Sequence, residues 1–316
     1  MKDSMIHPEF KIKGRPISRK DLSELAYSFI KEGEPYQVSI GSFLLDWLSP
    51  KNSIVVNTSG STGTPKSISL LKEHMKNSAL ATGAYFNLTP GTTCLHCLPC
   101  EYIAGKMMLV RALVLGLDIH FVEPSSAPLK SIDNQKSFDF CAMVPLQVQS
   151  SFDEIDRLKK LIIGGTPVSK EVKKKLFPKK TKCFETYGMT ETITHVAIKE
   201  ITSEFEQPPF KALPNVFFSC DKRGCLVIEA PLVVMEKVVT NDIVDLVSDQ
   251  EFHWLGRYDN VINSAGVKLF PETIENKLMP PVESPFIIAG IDDERPGQKL
   301  ILIRNLIPHK NLIWPV

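Results

Sequence analysis

The segment Thr58-Ser59-Gly60-Ser61-Thr62-Gly63-Thr64-Pro65-Lys66 constrains this chain more than any other. It follows Ser53-Ile54-Val55-Val56-Asn57, which reads as a short strand, and precedes Ser67-Ile68-Ser69-Leu70, which alternates like another. Two glycines let the backbone turn its N–H groups inward, and five hydroxyls and one ammonium add further donors, so the segment reads as an anion cradle. A nucleotide-binding P-loop needs Gly immediately before Lys and a helix afterwards. Here Pro65 holds the Gly position and a strand pattern follows, so that reading fails twice. A polar surface turn is the bland alternative.

Around this loop, apolar runs of strand length alternate with segments of helical period, the pattern of an α/β chain. Asp21 to Lys31, Lys72 to Phe86, Ile103 to Leu117 and Ser169 to Leu176 read as helices. Strands are expected at Lys66 to Leu71, Thr93 to Leu98, Asp118 to Val122, Phe138 to Val144, Leu161 to Ile163 and Lys182 to Glu185. From about His195 short strands and turns take over, for example Val216 to Ser219 and Leu226 to Glu229. A small unit follows Asp259, with Pro271 opening a helix to Leu278.

Lys and Arg number 37 against 36 Asp and Glu, a net charge of +1, and no basic cluster interleaved with aromatics stands out, which argues against a nucleic-acid partner. The most apolar stretch, Met107 to Leu117, is broken by Arg111 and is too short to span a membrane. The polar N-terminus lacks a signal core, so a cytoplasmic location is expected. Seven cysteines are an odd count that fits a reducing compartment. Cys94, Cys97 and Cys100 surround His96 at a spacing that suits either metal or core packing; no second pair follows at a usable distance, which favours packing.

The loop from Thr58 to Lys66 resembles the phosphate loop of the adenylate-forming acyl-CoA synthetases, and three further segments match that family in order. Tyr187-Gly188-Met189-Thr190-Glu191-Thr192 is similar to its aromatic-Gly-x-Thr-Glu motif, Thr240-Asn241-Asp242 to its ribose site, and Gly256-Arg257-Tyr258-Asp259 to its hinge. The run from Gly256 to Lys268, with Thr194-His195-Val196-Ala197, most resembles the short o-succinylbenzoate-CoA ligases of menaquinone biosynthesis. The resemblance implies a large adenylation domain, residues 1–258, of mixed sheets flanked by helices plus a short β region. A small α+β domain over residues 259–316 would follow. It implies ATP, Mg2+ and coenzyme A as reactants with a carboxylic acid: the acid attacks the α-phosphorus and expels pyrophosphate to give an acyl-adenylate, and a thiol then displaces AMP to give a thioester.

Under that resemblance Thr58, Ser59, Gly60, Ser61, Thr62, Gly63, Thr64 and Lys66 hold the β- and γ-phosphates, and Glu191 ligates Mg2+ as a hard oxygen donor. Thr190 belongs to the same motif, and Arg257 reaches the ribose or α-phosphate. Tyr187, Gly188 and Met189, with Gly164, Gly165 and Thr166, face adenine, and Asp242 accepts from the ribose hydroxyls. Taken without the motifs, Glu191 is a surface carboxylate, Asp242 a turn residue and Arg257 a surface charge. For the acid, Tyr102 stands where larger relatives carry His, Lys106 either pairs with a second carboxylate or is solvated, and His195 either contacts the acid or packs in a strand. Ser264, Gly266 and Lys268 match the thiol channel, with Ala265 where a second Gly is usual.

The family's small domain ends in a lysine set in a Gly-Lys context, and no Gly-Lys pair follows Asp259 here. The expectation is a chain cut short that binds ATP and adenylates slowly, or a nucleotide-binding remnant without turnover. Oligomeric state is left open by the sequence.

Overall fold

A computed structural model describes residues 5–58, 66–202, 208–278, 286–293 and 297–304. The chain divides into two compact units, Met1–Phe218 with Ile228–Val238 and Ser248–Glu251, and Ser219–Val227 with Val239–Val247 and Phe252–Val316.

The first unit opens with two short strands, β1 (Lys11–Ile12) and β2 (Arg15–Pro16), and a helix pair, α1 (Arg19–Glu32) and α2 (Pro35–Leu48). Ser18 caps α1: its hydroxyl accepts from the Asp21 amide while the Asp21 carboxylate accepts from the Ser18 amide, which satisfies two otherwise orphaned N–H groups. The sequence reading passes over α2, whose Pro35 sits in the first turn and whose Ile40, Phe43, Leu44 and Trp47 are buried. Gly41 permits the two helices to meet, since a Cβ there would lie 2.6 Å from the Ala26 carbonyl.

Two antiparallel strands follow, β3 (Ser53–Thr58) and β4 (Lys66–Leu71), with Thr58 opposite Lys66. The ladder brings the two ends of the expected phosphate loop together. Ser59, Gly60, Ser61, Thr62, Gly63, Thr64 and Pro65 lie outside the described residues, as do the side chains of Thr58 and Lys66. α3 (Lys72–Phe86) has the bounds its period indicates and stops where Asn87 turns left-handed, at φ 52. Then come β5 (Thr93–His96), α4 (Ile103–Leu115), β6 (Asp118–Phe121), β7 (Phe138–Met143), α5 (Pro145–Gln149), β8 (Leu158–Ile163), α6 (Lys170–Leu176), β9 (Lys182–Gly188), β10 (His195–Glu200) and β11 (Phe210–Ala212).

Within this unit the main sheet runs β11-β10-β9-β8-β7-β5-β6-β1-β2. Pairing is parallel from β9 through β8, β7, β5 and β6 to β1, and antiparallel where β10 joins β9 and β11 joins β10. Helices connect the parallel strands, as crossover geometry demands. One core cluster contains Leu95, Cys97, Cys141, Met143, Leu161 and Ile163. Cys94, Cys97 and Cys100 are buried, Cys97 Sγ lying 3.8 Å from Cys141 Sγ. Lys175 on α6 places its ammonium 5.1 Å from the Phe152 ring centroid, a local basic and aromatic feature that the net charge conceals.

The second unit is built largely of strands, and its four-stranded sheet is antiparallel throughout. Strands β12 (Phe217–Cys220), β13 (Cys225–Glu229), β14 (Val238–Ser248) and β15 (Glu251–Arg257) neighbour one another in that order. A four-stranded sheet, β17-β16-β19-β18, is built from β16 (Ile262–Ser264), β17 (Val267–Leu269), β18 (Phe286–Asp293) and β19 (Gly297–Arg304), with α7 (Pro271–Leu278). Among the described residues no helix is long and apolar enough to cross a membrane.

Candidate active site

The turn after β9 gathers several polar groups of the first unit. Tyr187 and Gly188 end β9, and Thr190–Thr192 forms a single 3-10 turn that leaves Glu191 exposed. Thr192 is fully buried; its hydroxyl accepts from the Met189 amide at 3.0 Å and lies 2.8 Å from the Thr194 carbonyl. The next residue, Ile193, has φ 66 and ψ −58, and the Thr194 amide donates to the Thr192 carbonyl at 2.7 Å. That is a γ-turn, a strained conformation for a β-branched residue. Gly188 is required beside it, because a Cβ there would lie 2.2 Å from the Thr194 carbonyl oxygen.

The same turn delivers Thr194 and His195 onto Arg111, which α4 carries inward. Arg111 is 2% exposed. Its Nη2 donates to Thr194 Oγ1 at 3.3 Å and to His195 Nδ1 at 3.4 Å, and its Nε has no partner among the described residues. Because a guanidinium can only donate, His195 Nδ1 accepts and the ring proton sits on Nε2, which faces Thr82 Oγ1 at 3.3 Å; that hydroxyl in turn donates to the Ser78 carbonyl. Burial and the Arg111 charge push the His195 pKa well below its ordinary value, so the imidazole is neutral. Burial also pulls Arg111 down to about 10, still cationic at neutral pH. Arg111 forms no ion pair with any described carboxylate, a costly state for a buried charge. In the sequence Arg111 stands only as a break in an apolar run; a lone cation at that place in a buried helix is its one signal.

Lys106 is held by backbone carbonyls. Its ammonium donates to the carbonyls of Cys100 and Glu101, tying down the loop before α4, and burial lowers its pKa. Tyr102 stands at the N-cap of α4, 58% exposed.

Beside Tyr187, the loop after β8 approaches closely. A Cβ on Gly164 would fall 2.5 Å from Thr186 Oγ1, and Gly165 is left-handed at φ 91, so both positions call for glycine. Thr166 is exposed. The bare backbone of this loop can lie flat against a planar ligand.

In the second unit Asp242 on β14 is 6% exposed and accepts from Trp254 Nε1 at 3.1 Å and Arg257 Nη1 at 3.3 Å. Trp254 is a partner that the sequence reading missed. Ser264, Ala265, Gly266 and Lys268 lie on the β16–β17 hairpin, with Ser264 opposite Val267. Both residues of its two-residue turn are left-handed, Ala265 at φ 52 and Gly266 at φ 83.

The residues suit the ligands that the motifs imply. A divalent cation held through phosphate oxygens needs one or two carboxylates, and Glu191 is exposed and available. Among the described residues no group of three or more His, Cys, Asp or Glu forms a closed metal cage.

A family model described as AMP-binding enzyme matches residues 21–216, and the chain belongs to this family of adenylate-forming proteins. Its curated relatives include the 2-succinylbenzoate--CoA ligase of Lactococcus lactis subsp. lactis (strain IL1403), 24% identical over 315 residues, covering 90% of this chain and 67% of the relative. That of Bacillus subtilis (strain 168) is 23% identical, covering 81% of this chain and 58% of the relative. The chain thus spans about three fifths to two thirds of the length of these curated relatives. Among solved structures, the acyl-CoA synthetase (AMP-forming)/AMP-acid ligase II-like protein from Dyadobacter fermentans DSM 18053 aligns with TM-score 0.69 at 36% identity, covering 90% of this chain and 85% of that one. The O-succinylbenzoate coenzyme A synthetase from Bacillus subtilis, solved with ATP and magnesium ion, shares the fold with TM-score 0.68 at 17% identity, covering 81% and 63%.

Proposed function

We propose that the chain is an ATP-dependent acid-CoA ligase whose acid carries a second carboxylate, with o-succinylbenzoate as the preferred substrate. The observation that carries this reading is Arg111, a buried cation whose described hydrogen-bond partners are both neutral. A buried guanidinium in that state is completed by an anion, and a carboxylate arm fits it with two parallel hydrogen bonds. A monocarboxylic acid spends its only carboxylate on the phosphorus and leaves Arg111 unpaired. The names of the curated relatives agree with this choice.

In this reading the residues from Thr58 to Lys66 hold the triphosphate, and Glu191 takes magnesium, which neutralises charge that develops on the phosphates. Tyr187 and the Gly164-Gly165-Thr166 loop receive adenine, and Thr190 and the γ-turn fix the approach to it. Asp242, held by Trp254, accepts from the ribose hydroxyls beside Arg257. Ser264, Gly266 and Lys268 take the thiol substrate. Tyr102 borders the acid without gating it, Lys106 holds the loop around it, and His195 holds Arg111. The domain boundary proposed at residues 258–259 follows the hinge motif.

Thermal unfolding with ATP, magnesium and a panel of acids tests the substrate, because a ligand bound only by the native state raises its stability. A shift with o-succinylbenzoate exceeding that with benzoate is expected. A shift with benzoate or a fatty acid and none with o-succinylbenzoate would sink this choice.

A further inference from the structure

Glu185 lies two residues before Tyr187 on β9, so both project to one face of the sheet. It is 5% exposed, yet it is ionised: burial alone would favour the neutral acid, but Lys199 and Lys173 hold it below the usual carboxylate range. Lys173 Nζ reaches it at 2.7 Å from α6, and Lys199 Nζ at 3.0 Å from β10, where Lys199 is its direct cross-strand partner. Its other oxygen, Oε1, accepts from the Val168 amide at 3.0 Å. Val168 closes the loop that begins Gly164-Gly165-Thr166-Pro167.

Lys199 also touches an aromatic ring. Its ammonium lies 4.1 Å from the centroid of Phe210 on β11, and the Phe210 ring lies 5.8 Å from that of Tyr187. The register explains the contact. Ala197 faces both Tyr187 and Ala212, and its small side chain leaves room that Phe210, two residues before Ala212, fills from the neighbouring strand.

The geometry points to Glu185 as a positioning residue that sets both walls of the adenine site, one through the Val168 amide and the other through Lys199 and the Phe210 ring against Tyr187. This rests on the proposed reading of Tyr187 and the Gly164-Gly165 loop as those walls. The Glu185 oxygens face Lys173, Lys199 and the Val168 amide, so it acts through the backbone of one wall and the ring of the other. One charge thereby fixes both the aromatic face on which a base stacks and the loop backbone whose N–H and C=O groups can read the edge of that base. The triphosphate would be held elsewhere, from Thr58 to Lys66, and would not sense the change.

Titration calorimetry on the whole chain with magnesium tests this, using ATP, GTP and inorganic triphosphate as probes. The variants are Phe210→Leu, Glu185→Gln and Tyr187→Ala. Phe210→Leu decides the matter if Glu185→Gln fails to fold, because it leaves the ion cluster intact. Phe210→Leu and Glu185→Gln are expected to weaken ATP about fivefold and to erode the preference for ATP over GTP, with triphosphate affinity unchanged. Equal losses for ATP and triphosphate would mean general damage and overturn the inference. If Tyr187→Ala loses ATP affinity while Phe210→Leu does not, the adenine reading stands and the positioning role falls. Wild-type protein that binds triphosphate but shows no preference for ATP overturns both.

Discussion

The Arg111 guanidinium donates to the neutral face of His195 at 3.4 Å, and no described carboxylate neutralises it. A charge so placed opposes folding and favours binding. Arg111→Met, an apolar replacement of similar length, should therefore stabilise the free protein by about 1–3 kcal/mol. The same change should weaken a dicarboxylic acid by roughly a hundredfold, since it removes a charge-assisted pair. Urea unfolding and acid titration check the two halves separately.

Two buried histidines give stability a direction in pH. Burial lowers His96 from 6.5 to about 4, and burial with Arg111 lowers His195 as well. A histidine depressed in the folded state is protonated preferentially when unfolded, so its contribution is intact above the unfolded value and is lost as pH falls below about 6.5. His96 alone should cost roughly 2 kcal/mol between pH 7 and pH 5. Denaturation midpoints that stay flat over that range would count against neutral burial of both rings.

The turn of the β16–β17 hairpin carries a methyl group in left-handed backbone at Ala265. Ala265→Gly relieves that strain and loses part of the gain to unfolded-chain entropy, so a net stabilisation of about 0.5 kcal/mol is expected. Amide exchange at Val267 should slow. Faster exchange would show that the strain is not there to relieve.

Thr192 buries a hydroxyl that spans the γ-turn from the Met189 amide to the Thr194 carbonyl. Thr192→Val keeps the shape and strands those groups, with an expected cost of about 1–3 kcal/mol. Because Thr194 is one of the described partners of Arg111, binding of the acid should weaken alongside; loss of stability without loss of acid affinity would separate the turn from the site.

The elements legible in the sequence were those whose signals are local. The period of α3, the strand before the phosphate loop and the change to antiparallel pairing after His195 all stand in the structure. The helix α2 was not: Pro35 and Gly41 are residue types that weaken a helix interior, but here the first opens the helix and the second is its contact with α1. Tyr187, Glu191 and Asp242 are singled out by motif alone. Arg111 and Glu185 are not, since their partners lie 83 and 84, or 17 and 14 residues away, brought together only by sheet register and helix packing. The competing uses of Lys106 were equally a matter of where the carbonyls of Cys100 and Glu101 point.

Pyrophosphate release from ATP and magnesium, compared for o-succinylbenzoate and benzoate in wild type and Arg111→Met, tests the central claim most directly. Release driven by o-succinylbenzoate in preference to benzoate, with the preference abolished by Arg111→Met, is the expected result. Equal rates for the two acids in wild type, or a preference that survives removal of Arg111, would contradict it.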